Sequence, residues 1–148
     1  MDNPSIKNLG DRAITTALTG EIITSSSNAG GTAIEHIDRL AGMLALSIMF
    51  KFAYGSGGTS CKAYLQTSFD QGVTWVDIAC AAFTTASATK IFNLSGLTPK
   101  TSPVTPGDGA LTDDTCVDGL LGDLLRVKVT SVGVYAANTT LSVRAQAR

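Results

Sequence analysis

The chain has 148 residues, 44% of them apolar and 16% charged, with eleven Lys and Arg against twelve Asp and Glu for a net charge of −1. This length is typical of one domain, and the apolar content suffices for one core, which excludes bulk disorder and a pair of full domains. The near-neutral charge excludes the basic field that nucleic-acid binding needs.

Residues Met1 to Asp11 are polar and unpatterned and predict an arm that reaches to a neighbour, with Asp2, Asn3, Pro4 and Ile6 as candidate contact residues. The segment has neither the basic nor the apolar stretch of a secretory signal. From Arg12 to Arg148 the chain predicts one domain built of about seven strands, because period-two alternation recurs between clusters of Gly, Ser, Asn, Asp and Pro. The first strand is expected over about Arg12 to Thr24, with Ile14, Leu18 and Ile22 inward. The second, Leu40 to Tyr54, sets Leu44, Leu46, Ile48, Phe50 and Phe52 against Met43, Ala45, Ser47, Met49 and Lys51. Its start is apolar on both faces, which predicts a central strand covered on two sides. Ala33 to Leu44 also carries Ile34, Ile37 and Leu40 at helical spacing, although Gly42 interrupts it. The apolar run from Leu40 to Phe50 is far shorter than the roughly 20 residues of a membrane span, so no membrane partner is expected.

The third and fourth strands, Ser60 to Ser68 and Val73 to Phe83, flank a tight turn at Asp70-Gln71-Gly72. Lys90 to Ser95, Leu125 to Ser131 and Leu141 to Arg148 complete the set. Strands without alternating helices predict an all-β fold, an antiparallel two-sheet β-sandwich, jelly-roll or immunoglobulin-like in its packing. Between the fifth and sixth strands lies a long segment, about 96–122, that holds Pro99, Pro103 and Pro106. Connections of that length are usually functional or pinned. Its carboxylates Asp108, Asp113, Asp114 and Asp118, with Asp123 just beyond, have three readings: solvated turns, a face that meets basic groups of a neighbour, or calcium ligands. The interface reading makes Asp108, Asp113 and Asp114 candidate contact residues. No metal site is assigned, because the spacing fits no EF-hand.

Ser68, Asp70, Gly72, Thr74 and Trp75 match the Asp-box pattern Ser-x-Asp-x-Gly-x-Thr-Trp. Its logic is structural: Asp70 accepts backbone N–H groups, Gly72 takes positive φ, and Thr74 with Trp75 restarts the strand. A single copy cannot build a sialidase-like propeller, and no acidic pair with an arginine cluster stands beside it. Cys61, Cys80 and Cys116 lack zinc spacing; with residue 61 facing about residue 81, Cys80 falls one position off register, which leaves both a Cys61–Cys80 disulfide and buried free thiols open. His36, the sole histidine, has no second His or Cys nearby and reads as an interface or surface residue. Trp75 and Tyr64 offer a possible aromatic platform for sugar, against Trp75 covering the core.

The stretch from Ala63 to Ala79, with Gln66-Thr67-Ser68 before the Asp-box and Trp75-Val76-Asp77-Ile78 after it, resembles a hairpin found in many small β-sandwich virion proteins of tailed bacteriophages. The resemblance covers about 20 residues and is shared with carbohydrate-binding and adhesin sandwiches. It implies a non-enzymatic structural component of a virion, first a capsid decoration or cement protein that stabilises the shell by symmetric docking. The alternatives are another virion part (head-to-tail connector, tail tube or tail component) and a carbohydrate-binding or adhesin module. The implied partners are the chain itself, as a homo-oligomer in the assembled particle, and the major capsid or other virion proteins. The implied setting is a virion assembled in the host cytoplasm. No catalytic residue and no cofactor is expected.

Overall fold

A computed structural model describes residues 5–23, 40 and 42–148. Among these described residues ten strands appear in chain order: β1 (Ser5–Ala13), β2 (Glu21–Ile22), β3 (Ala45–Ala53), β4 (Ser56–Gly57), β5 (Ser60–Ser68), β6 (Val76–Phe83), β7 (Ala88–Ser95), β8 (Leu124–Val132), β9 (Tyr135–Ala136) and β10 (Thr140–Ala147). They form two four-stranded sheets, ordered β1-β10-β3-β7 and β2-β8-β5-β6, with β4 and β9 paired as a small third sheet. All pairings are antiparallel. The fold is an all-β sandwich.

Alternation decides which face each strand buries. Leu46, Ile48, Phe50 and Phe52 of β3 and Leu141, Val143, Ala145 and Ala147 of β10 meet Cys61, Ala63 and Leu65 of β5 and Val127 and Val129 of β8 in one core. At one end of it Phe52 stacks on Phe83 with ring centroids 5.0 Å apart and meets Tyr135 edge-on at 5.7 Å. The Tyr135 hydroxyl donates to the Thr84 carbonyl at 2.9 Å. Gly58 lies beneath that ring at φ +66°, and a Cβ there would stand 2.3 Å from it.

Several expectations are corrected. Ten strands replace about seven, since β2, β4 and β9 have two residues each and cannot display a period. Of the strand expected over Arg12 to Thr24, the described residues 12–23 hold the end of β1 at Ala13, a turn between the sheets and the short β2; Ile14 and Leu18 are buried as expected and Ile23, rather than Ile22, completes the set. The described part of the expected N-terminal arm, from Ser5 to Asp11, belongs to β1 and pairs with β10. Its polarity reflects an edge position with a β-bulge between Asn8 and Gly10, where alternation fails. Residues 1–4, and hence Asp2, Asn3 and Pro4, lie outside the described residues, as do His36 and the helical spacing over 33–39. β3 is central in its sheet, but its outer face is only half-buried at Ala45, Ser47 and Met49 and exposed at Lys51 and Ala53.

All three cysteines are free. Cys61 opposes Phe83 and faces the core, whereas Cys80 opposes Tyr64 on the other face of the sheet, because a bulge between Leu65 and Gln66 shifts the register. Opposite faces rule out a bond between them. Burial pushes the Cys61 thiol up to about 12 and the Cys80 thiol up to about 11. At neutral pH a maleimide is therefore expected to label only the exposed Cys116 on the native chain, read by mass spectrometry. Prompt labelling of Cys61 before unfolding would contradict this packing.

Candidate docking surface

The end of the sandwich that carries the Asp-box also gathers the start of β3, the ends of β5 and β7, and the chain between β7 and β8. Cross-links make it one structure: Gly96 N–H donates to the Leu44 carbonyl, Gly119 N–H to the Ser95 carbonyl, and Asp123 N–H to the Ser68 carbonyl. Gly122 approaches Ser68 so closely that a Cβ would stand 2.1 Å from its carbonyl oxygen.

The Asp-box turn is a closed set of hydrogen bonds. Thr74 N–H donates to Asp70 Oδ1 at 2.7 Å, Ser68 Oγ donates to the same oxygen at 2.9 Å, and Gly72 N–H donates to Ser68 Oγ at 2.8 Å. Gly72 takes φ +90° and Gln71 φ +59°. Trp75 lies half-buried over Gly72, with the Arg126 guanidinium 4.1 Å from its ring centre. The strand resumes at Val76. Trp75 thus gives one ring face to Arg126, and Tyr64 is buried beneath the long loop, so the two do not form an open platform for a sugar.

The long loop does not project. It runs along the free edge of β6, where Asp77 N–H donates to the Gly107 carbonyl, Cys80 N–H to Thr115, and Val117 N–H to Ile78. This covers an edge that would otherwise present unpaired backbone groups. The anchor is Asp77. Its buried carboxylate accepts N–H groups from Gly109, Ala110 and Leu111 at 2.8–3.3 Å and the Gln66 amide at 2.7 Å. Gln66 Nε2 also donates to Asp108 at 2.7 Å, and its Oε1 accepts from Arg126 Nε at 2.7 Å.

Three of the loop carboxylates pair with cations of their own chain. Asp108 pairs with Lys128 at 2.8 Å, Asp113 with Lys62 at 2.7 Å and Asp114 with Lys90 at 2.7 Å. Asp118 accepts the Ser95 N–H at 2.5 Å and the Thr98 hydroxyl at 2.8 Å. Among the described residues no three of His, Cys, Asp and Glu converge on a point that suits a metal ion. Ile6 sits in β1 opposite Gln146.

These contacts set the acid response. Hydrogen bonds from Lys128 and then Gln66 hold the Asp108 carboxyl below its ordinary value, and the Ser95 and Thr74 N–H groups do the same for Asp118 and Asp70. At Asp114 partial burial pushes upward, but Lys90 and the Ala82 N–H outweigh it. A carboxyl lowered in the folded state stabilises the fold fully above its unfolded value of about 4, and that stability fades as pH falls through the folded values. Acid titration is expected to release the loop below about pH 4, reported by the fluorescence of Trp75, the sole tryptophan. A signal and melting temperature that stay constant down to about pH 2 would contradict it.

What the surface offers outward is mostly apolar. A cleft of about 490 Å³ opens between the hairpin and the loop, lined by Phe69, Val76, Pro103, Val104, Pro106 and Leu120 together with Lys100, Thr101 and Ser102. Phe69 is 61% exposed and Val73, at the hairpin turn, 84%. Sequence reading singled out neither Asp77 nor the cleft. Asp77 had a signal, an acid within the apolar run Val76 to Phe83, since a charge in a buried strand needs partners. The cleft had none, as its walls are some 30 residues apart in sequence. Comparison of the chain with protein-family models, with curated proteins and with solved structures found no match.

Proposed function

We propose that the chain is a non-enzymatic structural component of a tailed-phage virion, a capsid decoration protein that docks on the shell as a rigid β-sandwich through its hairpin end. The observation that carries docking is the apolar exposure at that end: Phe69 and Val104 in the cleft lining and Val73 at the hairpin turn are exposed, while Asp108, two residues beyond Pro106 of the lining, is tied to Lys128 of its own chain. Exposed apolar groups on a fixed frame favour a protein partner over long-range charge steering. The virion assignment rests on the likeness of the Ala63 to Ala79 hairpin to those of phage sandwich proteins. A place in the connector or tail would use the same surface, and locating the chain in the particle separates these positions.

The direct test is binding of the purified chain to shells that lack it, by co-sedimentation. Saturable binding is expected, and Phe69→Asp should weaken it at least about tenfold, or roughly 1.4 kcal/mol, with the chain's own melting unchanged because the side chain is exposed. Equal binding by Phe69→Asp, or no binding by the unaltered chain, would overturn the proposal. Deleting residues 1–11 is a poor substitute, since it removes most of β1 from its sheet.

A further inference from the structure

Among the described residues the two sheets have four edges, and three of them are protected. β1 carries a bulge, β2 is two residues long, and β6 is covered by the loop. Natural sheets use these devices to block strand addition. β7 has eight residues, keeps an unbroken register with β3, and contains neither Pro nor Gly; its one charged side chain, Lys90, is turned to Asp114 and the Ala82 carbonyl of its own chain.

The phase of its ladder shows which groups face outward. Gly96 N–H bonds to the Leu44 carbonyl, so Leu94, Phe92 and Lys90 turn their backbone groups toward β3, and Asn93, Ile91 and Thr89 turn theirs away. Ser95 shares that outward phase, and its groups are taken: its N–H by Asp118, its carbonyl by Gly119. For Thr89, Ile91 and Asn93 no backbone partner occurs among the described residues. Their side chains are exposed on the outer face, Ile91 by 67%.

We propose that β7 pairs with β7 of a second copy of this chain, antiparallel about a two-fold axis at Ile91, so that the β1-β10-β3-β7 sheet continues across the dimer. In this register Ile91 opposes Ile91 and Thr89 opposes Asn93, and each donates and accepts across the junction. The side chains agree with it. Lys90 meets Phe92 of the second copy, so its ammonium stays on Asp114 of its own chain. The inference rests on the sheet edge alone and stands or falls separately from the virion reading.

Sedimentation equilibrium of the full chain between about 1 and 100 μM, a range that brackets micromolar association, is expected to show a monomer–dimer equilibrium. Deuterium exchange at the Thr89, Ile91 and Asn93 amides should slow as concentration rises. Ile91→Lys, which places like charges opposite each other at the axis, should weaken the dimer at least about tenfold, while Ile91→Val keeps it. Both variants should melt as monomers like the unaltered chain, because the site is exposed. A monomer throughout the range, a dimer indifferent to Ile91→Lys, or a dimer in which those amides exchange freely would overturn the proposal.

Discussion

Asp77→Ala is expected to cost about 3 kcal/mol of stability, a third or so of what a domain of this kind commands. The carboxylate is buried and accepts from Gly109, Ala110, Leu111 and Gln66, so its removal strands several donors at once. Part of the cost is recovered because the loop can lift and let water reach its N–H groups. That recovery has its own signature. Once the loop lifts, the bonds from Cys80 to Thr115 and from Val117 to Ile78 open, so those amides should exchange faster and the Cys80 thiol should become reactive. Melting should fall by roughly 6–12 °C. Asp77→Asn, which keeps one carbonyl acceptor but presents an amide to N–H groups, should fall between. An Asp77→Ala chain with unchanged melting and a protected Cys80 would show that the loop is held by its ion pairs and not by this anchor.

Phe52→Ala is expected to cost about 3–5 kcal/mol through the lost transfer energy and the cavity left behind. Phe52 is fully buried and packs on Phe83, Tyr135 and Tyr54, so one truncation unseats the aromatic cluster that closes the sandwich. Melting should drop by about 10 °C or more. That cluster lies at the end opposite the Asp-box, so shell binding measured well below the new melting point should stay within about twofold, under 0.5 kcal/mol. Thermal melting with co-sedimentation checks both parts. Lost binding in a folded Phe52→Ala chain would move the docking surface away from the hairpin end.

Legibility in the sequence followed from how each element is stabilised. β3, β5, β8 and β10 alternate between a core face and another face, and a period-two reading finds them because the sheet imposes that period. β1 escaped because Asn8, Gly10 and Asp11 serve an edge and a bulge, where no alternation is required. The Asp-box was visible because its bonds join residues two to four apart. The anchor was not, since Asp77 reaches Gly109, Ala110 and Leu111 across more than 30 positions and only the folded chain brings them together. The same holds for the loop carboxylates: their number was plain, but their cations, Lys62, Lys90 and Lys128, come from three different strands.

The most direct test of docking is cryo-electron microscopy of the purified virion. A repeating β-sandwich is expected on the outer shell, with Phe69, Val73 and Val104 buried against the capsid protein. A particle without this chain, or a chain seated with its hairpin end toward solvent, would contradict it.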